Sequence, residues 1–179
     1  MSTVSTPKPA SGAFAAAAGT WTLDPAATTI TFQTKAMWGL AKVKGSFKAV
    51  EGGGTVTETG TVQGSLTIDA SSVDTGNKKR DDHLRSADFF ESVNYPTFVF
   101  TATEASQVRA DRLTVSGSLT IRGQARPLDI EATVDQTSPN SVTLTTELEL
   151  DRREWGITWA KMGAKVLNQM TIHARFTRS

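Results

Sequence analysis

Leu113-Thr114-Val115-Ser116-Gly117-Ser118-Leu119-Thr120-Ile121-Arg122-Gly123-Gln124-Ala125-Arg126-Pro127-Leu128-Asp129-Ile130-Glu131-Ala132-Thr133-Val134 alternates apolar and polar residues on both sides of one glycine. Leu113, Val115, Gly117, Leu119 and Ile121 share one side of an extended chain; Thr114, Ser116, Ser118, Thr120 and Arg122 share the other. Successive side chains of a strand point to opposite faces, so this period of two describes a strand with one dry and one wet face. Beyond the turn at Gly123, Leu128, Ile130, Ala132 and Val134 repeat the pattern against Asp129, Glu131, Thr133 and Asp135. The segment reads as an antiparallel hairpin.

The same period recurs in both directions along the chain. Upstream, Trp21-Thr22-Leu23 is a short strand stopped by Pro25. Ile30 and Phe32 share a face within Thr28–Lys35, and Val43, Gly45 and Phe47 share a face opposite Lys42 and Lys44. Val62, Gly64, Leu66 and Ile68 follow, and Thr97–Thr103 resumes after Pro96. Gly52-Gly53-Gly54 reads as a flexible turn. Downstream, Val142, Leu144, Leu148 and Leu150 keep the alternation, and the last strand is Met170–Arg178. About eight one-sided strands make an all-β protein, a meander either closed into a barrel or folded as a sandwich. In a barrel of about eight strands the dry faces line an interior that is packed or holds one small ligand.

The chain has 179 residues, with 19 basic and 18 acidic side chains and a net charge of +1. That balance gives no overall electrostatic footprint for nucleic acid or for an anionic membrane surface. With no cysteine, disulfide, zinc-thiolate and thiol chemistry are excluded, which fits a reducing compartment. No run is long and apolar enough to span a bilayer as a helix. Met1 to Ala18 is rich in Ser, Thr, Pro and Ala and lacks the basic start and apolar core of a signal peptide. It reads as a disordered leader on a cytoplasmic protein, with one folded domain over 19–179.

Asp74 to Tyr95 breaks the alternation. Lys78, Lys79, Arg80, Asp81, Asp82, His83 and Arg85 lie within it, followed by Phe89 and Phe90. From Asn77 to about Ala87 the composition suits a short helix. A second irregular stretch, Asp151 to Val166, carries Trp155, Trp159 and Met162 with several glycines.

Arg80-Asp81-x-His83-Leu84-Arg85-Ser86-x-Asp88-Phe89-Phe90, followed by Tyr95-Pro96-x-Phe98-x-Phe100, resembles the signature of the YceI-like proteins. Trp21-x-Leu23-Asp24-Pro25, Phe32-x-x-Lys35, Val43-x-Gly45-x-Phe47, Gly117-x-Leu119-Thr120-Ile121-x-Gly123 and Arg153-x-Trp155-Gly156-Ile157 extend the likeness from about Gly19 to the C-terminus. The resemblance implies a lipocalin-like antiparallel barrel of about eight strands, with a short helix in the 74–90 connection. It implies a long apolar cavity similar to those that hold polyisoprenoid chains. It also implies no established catalysis, no cofactor and a possible homodimer. One departure stands out: many relatives carry a histidine after the lysine of the second strand, where this chain has Ala36. Many relatives are also exported to the periplasm.

On this reading Ile30, Phe32, Val43, Phe47, Leu66, Phe98, Phe100, Leu119, Ile130 and Phe176 line the cavity. Met37, Trp38, Trp155, Trp159 and Met162 form a greasy mouth. Phe89 and Phe90 should diverge, one plugging the barrel end and the other packing under the helix. Arg80, His83 and Arg85 are candidate head-group contacts beside Lys78 and Lys79, since Arg grips phosphate oxygens well. The partner is then a long-chain lipid or isoprenoid, such as a prenyl diphosphate or a quinone, held for transport, storage or sequestration. Nucleic acid is not expected as a partner. An alternative is a broad-specificity protein that sequesters fatty-acid-like or toxic amphiphiles under stress.

His83 near Ser86 and Asp88 invites a lipid-hydrolase reading, but a triad needs a base that touches the nucleophile, and there is no Gly-x-Ser-x-Gly elbow. With only His83 and His173, a metal site is not expected. Ordering of the loop by His83 and an Arg80–Asp88 pairing are the simpler expectations.

Overall fold

The hairpin around Gly123 is formed by β6 (Arg112–Ile121) and β7 (Gln124–Ser138) of a computed structural model that describes residues 17–179. Leu113 faces Ala132, Val115 faces Ile130 and Gly117 faces Leu128 across it. Arg122 and Gly123, both at positive φ, make the two-residue turn, the geometry that matches strand twist. The remaining strands are β1 (Gly19–Leu23), β2 (Thr29–Ala36), β3 (Ala41–Val56), β4 (Val62–Asp74), β5 (Thr97–Arg109), β8 (Ser141–Asp151) and β9 (Leu167–Arg178). One helix, α1 (Lys78–Arg85), lies between β4 and β5.

Every pairing is antiparallel, each strand from β2 to β8 pairs with the next, and β9 returns to β2. Among the described residues the sheet is therefore closed, with no edge strand left for another chain to extend. The described residues form nine strands in eight barrel positions. β1 pairs with the same two neighbours as β2, namely β3 at Gly53–Val56 and β9 at Phe176–Arg178. β1 and β2 are one barrel strand interrupted by a 3-10 turn at Pro25–Ala27, which Asp24 caps by accepting from the amides of Ala26 and Ala27.

Gly52-Gly53-Gly54 is not a turn. It is the middle of a three-strand junction, paired to β4 on one side, with Gly53 and Gly54 also paired to β1 on the other. A Cβ on Gly54 would lie 2.2 Å from the Gln63 carbonyl oxygen, and one on Gly53 would lie 2.4 Å from that of Trp21. Glycine in a strand permits this close backbone approach. The reversal comes later, where the Thr57 amide donates to the Thr61 carbonyl at 2.9 Å and the Thr61 amide donates to the Thr57 hydroxyl at 2.9 Å.

Three apolar clusters fill the wall. The first joins Ile30, Phe32, Phe47, Ile68, Ala70, Val73 and Phe98, with Leu84 and Phe90 packed on it. Trp21, Val56 and Val142 form the second, with Val62 and Phe176. Leu113, Val115 and Ala132 form the third. The leader expected over Met1–Ala18 falls on residues 1–16, outside the described residues, except for its last two. Ala17 and Ala18 are tied to the barrel through their carbonyls, which accept from Trp21 Nε1 and Arg178 Nη1 at 3.0 Å each.

Candidate ligand-binding cavity

The inward faces of the strands do not meet. They enclose a cavity of about 990 Å³, near the upper end for small-molecule sites. At one pole, where β3 ends and β8 begins, Trp21, Val56, Val142 and Phe176 form its apolar floor. The walls carry Phe32, Val43, Phe47, Leu66, Phe98, Phe100, Leu113, Leu119, Ile130 and Leu148, all at inward positions of their strands. At the opposite pole the irregular connections gather: Met37–Gly39, α1 with the turns after it, and residues 152–166.

Aromatic rings run in an unbroken series from that pole into the wall. The His83 ring stands edge-on to Trp159 at 4.8 Å and to Phe89 at 5.1 Å. Phe89 meets Phe90 at 6.4 Å, and Phe90 packs on Phe98 at 5.1 Å and on Phe47 at 5.6 Å. Their contacts diverge as expected, Phe89 packing at the barrel end on His83, Trp159 and Arg152 and Phe90 packing on Phe47 and Phe98 in the cluster that Leu84 of α1 also covers, yet both rings line the cavity. Residues 86–90 are turns rather than strand, so the alternation that would separate neighbouring side chains does not apply.

Helix geometry sorts the cations of α1. Residues three and four apart share a helix face. Lys78 and Arg85 both reach Asp82, at 2.9 Å and 3.2 Å, on the side away from the cavity. Arg85 also donates to the carbonyls of Ser71 and Val73, at 2.7 Å and 3.0 Å, and so ties the helix to β4. Lys79, Arg80 and His83 face the cavity. Arg80 is steadied by Thr75, whose hydroxyl accepts from its Nε at 2.8 Å and donates to the buried Asp81 carboxylate at 2.5 Å. The expected Arg80–Asp88 pairing is replaced by His83 Nε2 to Asp88 Oδ2 at 2.9 Å.

The serine beside this pair is turned elsewhere. Ser86 Oγ donates to the His83 carbonyl oxygen at 2.6 Å. The nucleophile–base contact of a triad is not made between these two side chains. Among the described residues, no group of three or more His, Asp or Glu is placed to hold a metal.

Of the residues expected to contact a ligand, Ile30, Trp38 and Arg85 lie outside the cavity lining. Ile30 is fully buried within the first cluster, and Trp38 is 74% exposed. The others expected, including Leu119, Trp155 and Met162, are at the lining.

Sequence reasoning passed over Arg152, Lys161 and Lys165. Arg152 had a signal: it continues the inward series Val142, Leu144, Thr146, Leu148, Leu150. Its guanidinium donates to the carbonyls of Ile157 and Lys165, at 2.9 Å and 3.3 Å, and lies 5.2 Å from the Phe89 ring centre. Burial lowers its pKa, opposed by the nearby Asp151 carboxylate, yet a guanidinium stays charged. Lys161 and Lys165 stand on irregular backbone, where no period marks a face. Among the described residues, the charged side chains at the lining are Lys35, Lys79, Arg80, Arg152, Lys161 and Lys165, with no acid among them. Lys35 occupies an outward position of β2, so it marks the rim rather than the interior.

Residues 21–177 match the YceI-like domain. The chain belongs to the YceI-like family. Over 68 residues it is 43% identical to Protein YceI of Escherichia coli O157:H7, and over the same length 40% identical to that of Salmonella arizonae. Those stretches cover 38% of this chain and 35% of each relative, so the match spans about a third of these curated proteins. Its fold is similar to that of BcnA from Burkholderia cenocepacia, with a TM-score of 0.74 at 21% identity over 86% of this chain and 98% of the other. It is also similar to a polyisoprenoid-binding domain from Saccharophagus degradans, with a TM-score of 0.71 at 16% identity over 89% and 98%. The YceI-like central motif thus supplies α1 and the two phenylalanines that roof the barrel, and Ala36 sits at the rim of the cavity.

Proposed function

We propose that this protein binds a long-chain amphiphile with an anionic head group, of which a prenyl phosphate or diphosphate is the type, and that it acts as a binding protein rather than an enzyme. The observation that carries this is an apolar cavity of about 990 Å³ whose charged lining, among the described residues, is six cations and no acid. The chain as a whole is nearly neutral at +1, so the asymmetry belongs to the site. The Saccharophagus degradans domain, described as polyisoprenoid-binding, has the same fold.

The tail supplies most of the affinity. Each buried methylene contributes about 0.8 kcal/mol, and a chain of several isoprene units reaches about micromolar affinity after association costs. The head group sets orientation, through contacts weakened by salt. Sequestration and transport share this geometry and differ in ligand breadth, which competition among unlike tails separates.

Lipid extraction and native mass spectrometry of purified protein identify what it carries. Titration then compares a prenyl phosphate with the prenol of equal tail. Tighter binding of the phosphate by about tenfold, equivalent to about 1.4 kcal/mol, is expected, with loss of that margin in Lys79→Glu/Lys161→Glu. Protein that is empty and refuses every long-chain ligand overturns the reading.

A further inference from the structure

Met37, Trp38 and Leu40 stand between β2 and β3, and Met162 stands between β8 and β9. They are 51%, 74%, 86% and 74% exposed. The two connections touch. A Cβ on Gly163 would come within 2.4 Å of the Trp38 amide nitrogen, and the Lys165 amide donates to the Lys35 carbonyl at 2.9 Å. Four large apolar side chains are therefore gathered on two contacting loops, whereas exposed apolar residues are ordinarily scattered singly. Met37 and Met162 also reach the cavity lining, and Trp38 and Leu40 do not. The patch is continuous with the cavity mouth.

The backbone here adopts a rare conformation. Met37, Trp38 and Met162 have φ of 49°, 56° and 55°, the left-handed region that non-glycine residues seldom occupy. Such outliers cluster at active sites, ligand clamps and switch regions.

Charge gives the patch its direction. Neither Pro25–Val50 nor Trp155–Ser179 contains an acid. Lys35, Lys42, Lys161 and Lys165 flank the four apolar residues in these stretches. Lys35 and Lys42 are cross-strand partners, an arrangement that like charges disfavour. Among the described residues, the ion pairs include none of these four lysines. A chain with net charge +1 thus carries four lysines and no acid on the two stretches that hold these exposed apolar side chains.

We propose that this pole docks on an anionic lipid bilayer. Tryptophan favours the membrane–water boundary, and lysine lays its stem along apolar matter while holding its ammonium at phosphate depth. Apolar tips ringed by unpaired cations reproduce the order of a bilayer surface from acyl chain to head group. The docking would set the cavity mouth against the source of an amphiphile. That consequence rests on the proposed function, while the contact itself does not.

The test is sedimentation of the full chain with vesicles of phosphatidylglycerol and phosphatidylcholine, and with phosphatidylcholine alone. Binding to the anionic vesicles at least fivefold above the neutral ones is expected. So are its loss at high salt and a fall of at least fivefold in Trp38→Ser/Leu40→Ser. A prenyl phosphate titrated in solution without vesicles should bind that variant and the parent alike, which shows it folded and separates failure of docking from failure of cavity binding. Absence of vesicle binding, equal binding by the variant, or a shift of oligomeric state on substitution with no vesicle binding by the parent would overturn the proposal.

Discussion

Arg152 lies over the face of Phe89, with its guanidinium carbon 5.2 Å from the ring centre. The contact joins two stretches far apart in sequence, the turn after α1 and the 3-10 turn after β8. The same guanidinium donates to the carbonyls of Ile157 and Lys165. One side chain therefore holds three pieces of the cavity roof.

Replacing Arg152 should loosen all three. Hydrogen bonds from a charged donor contribute about 1.5–3 kcal/mol, and a shielded cation–π contact adds about 0.5–2 kcal/mol. Arg152→Ala should cost about 2–4 kcal/mol in urea denaturation, with faster hydrogen exchange in 156–165. Unchanged exchange there would remove Arg152 from the roof.

The glycine run of β3 separates two readings of the chain. At a flexible turn, Gly54→Ala would be nearly neutral. In the junction observed, the new Cβ meets the Gln63 carbonyl oxygen at 2.2 Å, and the strands must part. Gly54→Ala should lower stability by about 1–3 kcal/mol, as overpacking does. Gly60→Ala, at a turn with φ of 82°, serves as the comparison for left-handed strain alone, about 1 kcal/mol. Calorimetry of both variants checks this.

Tail length should be limited by the cavity. Ala132 is 3% exposed, lines the cavity and packs with Leu113 and Val115. Ala132→Phe projects a ring into the space. Long prenyl chains should then bind about tenfold more weakly while short ones keep their affinity, measured by displacement of a fluorescent fatty acid. Equal loss at every length would point to misfolding instead.

Acid stability has identifiable sources. The side-chain hydrogen bond from Arg153 holds the Asp151 carboxyl below the usual carboxylate range, and that from Lys78 does the same for Asp82. A carboxylate with a depressed folded pKa stabilises above the unfolded pKa, near about 3.9 for Asp. That contribution fades as pH falls through the folded value. Neither group should alter stability between about pH 5 and 8. Asp151→Asn should therefore lower Tm slightly at neutral pH and make the curve shallower below about pH 4, read by thermal denaturation across pH. A steeper acid limb in the variant would contradict this pairing.

The alternation from Leu113 to Val134 already specified β6, β7 and the turn between them, because an inward position cannot exchange with an outward one without exposing the core. Residue parity likewise puts Ile30 with Phe32, and Val43 with Phe47, on one face, while the closed barrel decides that Phe32, Val43 and Phe47 reach the cavity. The central motif marks α1 and the family. Parity gives no face where the backbone leaves the strand, so only the turns of 86–90 decide that Phe89 and Phe90 both reach the cavity lining. Composition described a neutral molecule, since it adds charges without positions. Only closure of β9 onto β2 brings Lys35, Lys79, Arg152 and Lys161 to one pole. Those residues lie far apart along the chain, and it is the long-range pairing of strands, together with the contact of Gly163 on Trp38, that makes them neighbours.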